Sequence, residues 1–370
     1  MSRIVFHVPS LGGGGAERVW VLMANELVRR GYDTALLAWN AGGPNRAHLS
    51  PAVRLVDFGM PVRDGRFGKP ATISGLLRMT DFFRRHRPDA VFSAPEFANL
   101  VAAVSLLLAG SGARFFPSFH AAGALPAERL GSQLARTMAG YVIARATRAI
   151  AVSHGVADDL ARASQGARRK VVVINNPLSP ALASAAAARL AGALASPPGA
   201  GPLIVTAGRL VEVKDHRTLL RAFARLRQTR AARLLLLGDG PLRPELASLA
   251  SELGIADDVS MPGYVDEPAA YYGIASLFVL SSTSEGFGNV LIEAMAAGLP
   301  IVSTDCRHGP REILQDGKLG ALVPVGDAGA LAEAMHAMLR RPTPPAQLRH
   351  RAADFGIDRI GDRYEALLTF

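Results

Sequence analysis

Arg209 and Lys214 stand five residues apart in the stretch TAGRLVEVKDH, just past an apolar run. Further on, Glu285 and Glu293 flank a Gly-Phe-Gly turn in SSTSEGFGNVLIEAMAAG. Two carboxylates in such a place are either an acid/base pair or two acceptors for the hydroxyls of one polar ligand. The nearby cations favour the second reading, because a guanidinium and an ammonium together suit a diphosphate. Gly286 and Gly288 permit tight backbone angles. A helix expected from Asn289 or Val290 adds first-turn amides with no internal partner, and its dipole favours negative charge. Diphosphate and hydroxyls occur together in a sugar nucleotide. Glu293 then accepts from a ribose diol and Glu285 from hexose hydroxyls, each charged hydrogen bond contributing about 1.5–3 kcal/mol.

These residues need strands to carry them, and the pattern provides them. Apolar strand-like runs alternate with helical periodicity: Ile4–Pro9, Asp33–Trp39, Ala90–Ser93, Arg114–Phe119, Ala149–Ser153 and Val171–Ile174 read as strands with helices between. The texture changes at residues 181–201, which are Ala-rich and end in SPPGAG. The rhythm then restarts at Leu203–Ala207. This predicts an α/β chain of two doubly wound, Rossmann-like domains, with ligands beyond the carboxyl ends of the strands. The expected domains are residues 1–180, a linker at 181–201, a second domain at 202–355, and a helix at 356–370 that could cross back to the first. Both domains open with a strand running into a glycine loop. In IVFHVPSLGGGGAERV neither a dinucleotide fingerprint nor a P-loop is complete. What remains, Gly12 to Gly15 before a helix, is bare backbone that an anion or a sugar can approach closely.

The chain has 370 residues, net charge +10 and one cysteine, Cys306. No intrachain disulfide can form, so a reducing cytoplasm is expected, and the start reads as a first strand and not as a secretory leader. Residues 1–178 carry 22 Lys and Arg against 11 Asp and Glu, whereas residues 179–370 carry 19 against 20. The basic half suggests an anionic partner, such as a phospholipid surface or a lipid-pyrophosphate acceptor; nucleic acid is disfavoured, since aromatics are not interleaved with the cations. No Asp-x-Asp metal motif stands out. Asp158-Asp159 and Asp257-Asp258 read as solvated charges or caps.

Gly208-Arg209-Leu210 with Lys214-Asp215, then LGDGP, then SEGFG with Glu293-Ala294-Met295-Ala296 and Gly298-x-Pro300, resembles the retaining family-four glycosyltransferases of the GT-B fold. LGGGGAERV, Phe119-His120, AVSHGVADDL, INNPL and CRHGPREILQDGKLGALVPVGD resemble that family's blocks in the same order, so the likeness spans essentially the whole chain. One departure is His216 after Asp215, where many members have glycine.

The resemblance implies two domains facing across a cleft, the first binding the acceptor and the second the donor. It implies that Arg209 and Lys214 bind the donor diphosphate, that Glu293 holds the ribose, and that Glu285 with the amides of Phe287 and Gly288 holds the hexose. Asn289 and Val290 would present the helix start to the phosphates. Gly14 and Gly15 would cradle phosphate or sugar, His120 would sit beside the donor sugar, and Tyr264 or Val265 would lie near the base. Asn176 would mark a hinge. The implied activity is hexose transfer from a UDP- or GDP-sugar to a glycan or lipid-linked acceptor, without metal or other cofactor; the expected place is the cytoplasm, where the basic first half would allow peripheral attachment to the inner face of the plasma membrane. The GGAER start resembles members that build bacterial cell-surface polysaccharides. A glycan phosphorylase, a sugar-nucleotide epimerase and a non-catalytic binder of sugar nucleotides or anionic lipid remain as alternatives.

Overall fold

The computed structural model describes residues 2–61, 68–120, 130–163, 167–180, 201–266 and 268–369; the 181–201 linker therefore lies almost wholly outside the described residues. The chain divides into two compact units, the first made of Met1–Pro177 with Ile357–Phe370, the second of Leu178–Gly356.

Unit 1 is built on seven strands: β1 (Arg3–Ser10), β2 (Asp33–Asn40), β3 (Arg54–Asp57), β4 (Ala90–Ser93), β5 (Arg114–Phe119), β6 (Ala149–Ala151) and β7 (Val171–Val173). They form one parallel sheet in the order β3-β2-β1-β4-β5-β6-β7. Its helices are α1 (Gly15–Arg29), α2 (Lys69–His86), α3 (Glu96–Leu108), α4 (Leu130–Arg145) and α5 (His154–Ala163). Unit 2 repeats the plan with β8 (Leu203–Ala207), β9 (Arg233–Leu237), β10 (Val259–Gly263), β11 (Leu277–Leu280), β12 (Ile301–Thr304) and β13 (Ala321–Val323) in the order β10-β9-β8-β11-β12-β13. Among the described residues its helices are α6 (His216–Arg227), α7 (Arg243–Glu252), α8 (Ala269–Ile274), α9 (Asn289–Ala297), α10 (Pro310–Ile313), α11 (Ala328–Arg340) and α12 (Pro345–Ala352); α13 (Ile357–Leu368) returns to unit 1.

Near-continuous apolar strands such as LLLL in β9 and LFVL in β11 are buried on both faces, as parallel strands between helix layers must be. Each sheet reverses its strand order once, between β1 and β4 and between β8 and β11. In such sheets the loops leaving the strand ends diverge at the reversal and open a crevice.

Three expectations were too short or absent. The edge strand β3, RLVD, has only half-buried and exposed positions, so no apolar run announces it. Helical periodicity in the sequence covers only Gly75–His86, but helix α2 begins already at Lys69, with Pro70 in its first turn, where a missing N–H costs nothing. Helix α12, PAQLRHRA, buries only Leu348 and Ala352 and escaped notice.

The core of unit 1 includes residues of the last helix. Ile360, Tyr364, Leu367 and Leu368 pack with β1, α1 and β4, and the Tyr364 ring meets Trp20 edge-on with centroids 5.9 Å apart. Charge reinforces the apolar seam. Arg30 donates to Glu26 at 2.6 Å and to Asp362 and Glu365 at 2.7 Å each, Arg29 pairs with Asp358, and Tyr32 donates to Glu365 at 2.8 Å. Glu26 is buried, and burial alone would raise its pKa; hydrogen bonds from Arg29 and Arg30 outweigh this and hold it below the ordinary 4.5. Its lowered pKa makes this contribution to stability intact above about pH 4.5 and lost as pH falls through the native value. Replacing Arg30 with Met removes the hub. Discounted for the solvent around Asp362 and for Arg29 still holding Glu26, the expected loss is about 2–4 kcal/mol in urea unfolding of the full chain at pH 7. A loss under about 0.5 kcal/mol, a typical surface value, would contradict the hub role.

Candidate active site

In unit 2 the reversal places the loop after β8 beside the loop after β11, since Leu277 and Phe278 of β11 pair with Ile204 and Val205 of β8. Arg209 and Lys214 lie on the first loop, Glu285 on the second. The two are stitched together: Thr283 N donates to Val213 O at 2.8 Å and Ser281 Oγ to Lys214 O at 2.8 Å. The contact that matters chemically is shorter. Lys214 Nζ donates to Glu285 Oε1 at 2.5 Å, and Ser282 Oγ donates to the same oxygen at 2.6 Å. Ser282 is itself fixed, its carbonyl accepting from Thr304 Oγ1 at 2.6 Å.

The Arg209 backbone is held from the other side. Leu210 N donates to Asp239 O and Gly208 N to Leu237 O, both at 2.9 Å. A Cβ on Gly238 would stand 2.0 Å from Gly208 O, so only glycine lets the LGDGP loop lie against this turn. The Arg209 side chain is exposed and, among the described residues, makes no ion pair. Asp215 caps α6 through Thr218 N at 3.2 Å. His216, the departure noted above, is an interior residue at the start of that helix, and burial lowers its pKa to about 4.

Helix α9 starts at Asn289, preceded by Gly288 in the left-handed region with φ +96°. Phe287 is buried and its ring packs edge-on against Phe355, leaving its backbone as what it can offer a ligand. A Cβ on Gly309 would fall 1.7 Å from Phe287 O, so the loop after β12 closes tightly on the turn. Glu293 is the fifth residue of α9, one turn beyond Asn289, and shares with Asn289 and Val290 the half-exposed face of the helix. Tyr272, wholly buried on α8, donates to Glu293 Oε2 at 3.4 Å; burial, then the Glu293 charge, raises the phenol pKa well above its ordinary value. Tyr264 and Val265 follow β10, with Tyr264 exposed and its hydroxyl 3.4 Å from Asp266.

In unit 1 the glycine loop follows β1 and leads into α1. Buried Asn45 binds it from behind, donating to Gly12 O and, at 3.4 Å, to Gly14 O. The loop is less bare than its composition implies: Glu17 folds back so closely that a Cβ on Gly14 would lie 2.2 Å from its carboxylate. Gly14 and Gly15 thus present backbone beside a carboxylate, which favours hydroxyl donors as much as anions. His120 follows β5. Its amide donates to Glu96 at 3.2 Å, its Nε2 lies 3.1 Å from Ser118 Oγ, and its ring meets Trp20 edge-on. Part of the residue reaches the surface, but the surroundings of the ring lower its pKa to about 4 by desolvation.

Ser282, Tyr272, Asn45 and Glu96 were not read from the sequence. Tyr272, Asn45 and Glu96 act through partners distant in the chain, while Ser282, three residues before Glu285, is one serine among several in a polar loop, and a lone Ser, Tyr or Asn announces nothing. Asn176, expected at a hinge, is buried in unit 1. Among the described residues no group of three or more His, Cys, Asp or Glu is placed to hold a metal ion.

Two doubly wound parallel sheets, with a cation paired to a carboxylate at the switch point of the second, have the architecture of the GT-B glycosyltransferases. The chain belongs to the glycosyl transferases group 1 and glycosyltransferase family 4 group: residues 201–341 match the first family and residues 13–182 the second. It is 30% identical over 366 residues to the lipopolysaccharide core biosynthesis glycosyltransferase LpsE of Rhizobium meliloti, covering 96% of each chain. In fold it is similar to Anabaena Alr3699/HepE in complex with UDP and glucose, with a TM-score of 0.82, 21% identity and full coverage of both chains. Sucrose-phosphate synthase of Thermosynechococcus elongatus superposes with a TM-score of 0.83 at 21% identity, covering 100% of this chain and 98% of the other.

The imidazole of His120 is neutral from about pH 5 upward, because desolvation disfavours the charged form. Its ring resonances in an NMR titration of the full enzyme should therefore stay flat between pH 5.5 and 8.5. A midpoint near the ordinary 6.5 would show that the ring is hydrated and able to carry a proton.

Proposed function

We propose that this glycosyltransferase moves a hexose from a UDP- or GDP-sugar to a hydroxyl of a glycan or lipid-linked acceptor, with retention of anomeric configuration. The observation that carries this reading is the meeting of Lys214 with Glu285 at a strand-order reversal, with exposed Arg209 on the same loop and Glu293 on the helix that follows. Phosphate and hydroxyl chemistry are adjacent there. Arg209, Lys214 and the amides at Asn289 and Val290 neutralise the departing diphosphate. Glu285, with the backbone of Phe287 and Gly288, accepts from the hexose, Glu293 takes the ribose, and Tyr264 and Val265 border the base. Unit 2 is the donor domain and unit 1 the acceptor domain, whose Gly14, Gly15 and neutral His120 serve as polar contacts for sugar. The departing phosphate takes the acceptor's proton, and no dedicated nucleophile or cofactor is invoked. The UDP and glucose named with the Anabaena structure support the donor class, and the lipopolysaccharide core role named for the Rhizobium relative supports a surface-polysaccharide acceptor.

A panel of UDP-, GDP- and ADP-sugars, assayed for thermal shift and slow donor hydrolysis with EDTA throughout, tests the donor class and the independence from metal together. With the responding donor, Lys214→Ala should lower turnover about 100-fold or more, as loss of one transition-state donor costs about 2.7–4 kcal/mol, an effect far larger than its effect on thermal stability. Activity within threefold of wild type would overturn the clamp.

The basic unit 1 also suits an anionic membrane surface. Ile73 and Leu77, one turn apart on α2, are each 61% exposed, and Arg78, Arg84 and Arg85 are exposed on the same helix. No helix among the described residues is long and apolar enough to cross a membrane, so the attachment proposed is peripheral. The enzyme should co-sediment with phosphatidylglycerol vesicles at low salt and be released as salt rises. Failure to sediment at low salt would remove the membrane from the proposal.

A further inference from the structure

The two groups that would divide the donor between them are bonded to each other. Lys214 Nζ and Glu285 Oε1 lie 2.5 Å apart, with side chains only 20% and 11% exposed. Ser282, wholly buried, anchors the same carboxylate oxygen. Arg209 differs: it is exposed and, among the described residues, makes no ion pair. The geometry points to a second role for Glu285, as the residue that sets discrimination between a nucleotide-sugar and the bare nucleotide diphosphate. It withholds Lys214 from phosphate unless hexose hydroxyls replace the ammonium on the carboxylate. The inference rests on the donor reading above.

The argument is one of exchange. A phosphate oxygen that takes Lys214 breaks a short charged hydrogen bond and leaves a largely buried carboxylate with the Ser282 hydroxyl alone. That loss cancels much of the gain. A hexose changes the balance, because its hydroxyls donate to Glu285 and keep the carboxylate satisfied while Lys214 turns to the diphosphate. As the glycosidic bond breaks, negative charge grows on the phosphate and the ammonium follows it, so Lys214 contributes in the transition state more than to ground-state binding. After transfer the sugar leaves with the acceptor, Glu285 reclaims Lys214, and the nucleotide diphosphate is held mainly by Arg209, the α9 amides and Glu293. Release of that product is then favoured by the same carboxylate that recognised the substrate.

Calorimetric titration of the full-length enzyme with UDP, GDP and ADP tests this. For the nucleotide that binds, Glu285→Gln should lower the dissociation constant threefold or more, although it impairs transfer. Lys214→Met should raise that constant less than threefold, and Arg209→Met tenfold or more. In the double variant Lys214→Met/Glu285→Gln the gain should vanish. Equal or weaker nucleotide binding by a folded Glu285→Gln variant would overturn the inference, as would a loss in Lys214→Met that matches Arg209→Met. Should Glu285→Gln fail to fold, the comparison of Lys214→Met with Arg209→Met decides alone. If none of the three nucleotides binds the wild-type enzyme, the donor reading itself fails and this inference with it.

Discussion

Lys214 and Glu285 meet because β8 and β11 are neighbours in a sheet whose order reverses between them. Seventy-one positions of chain separate the two residues, and only the parallel register of Leu277 on Ile204 brings their loops together. Everything around the pair limits its freedom. The LGDGP loop presses on Gly208, Ser281 grips the backbone of Lys214 and Thr283 that of Val213, and the loop after β12 closes on Phe287. Placement of this kind is what an electrostatic site needs, since its groups must already point where charge will develop.

Most of this framework was legible in the residues. The buried strands announce themselves as unbroken apolar runs, because helices cover both faces of a parallel sheet. The glycines announce the turns: Gly238, Gly288 and Gly309 stand where a Cβ would meet backbone or where φ is positive. What stayed hidden was of two kinds. Edge elements such as β3 and α12 carry few buried positions, so periodicity has little to act on. Supporting side chains such as Tyr272, Asn45 and Glu96 depend on partners brought near only by folding. Charge type alone suggested a division of labour between Lys214 and Glu285, the one for phosphate and the other for sugar. That the two are hydrogen-bonded is a fact of three dimensions.

The two glycine loops at strand ends differ in a way their composition conceals. In unit 2, Gly286 and Gly288 bracket a turn held by neighbouring loops, and the carboxylate beside it already has a cation. In unit 1, Glu17 leans over Gly14 with its acidic group at the start of α1, and the imidazole of His120, after β5, is kept neutral. The first unit, for all its surplus of arginine, therefore offers mild polarity at the end of β1, while much of its positive charge lies on helices such as α2.

The return of α13 to unit 1 has a consequence for biosynthesis. A nascent chain exposes β1 through β7 early, but Ile360, Tyr364, Leu367 and Leu368, which seal that core, are translated only after the whole of unit 2. Unit 2 is contiguous and can fold as it leaves the ribosome, whereas the first-made sheet must wait with Trp20 and Phe92 uncovered by their last neighbour. Chaperone demand should therefore fall on the oldest part of the polypeptide, and a released chain ending before Ile357 would carry a complete second unit joined to an unfinished first.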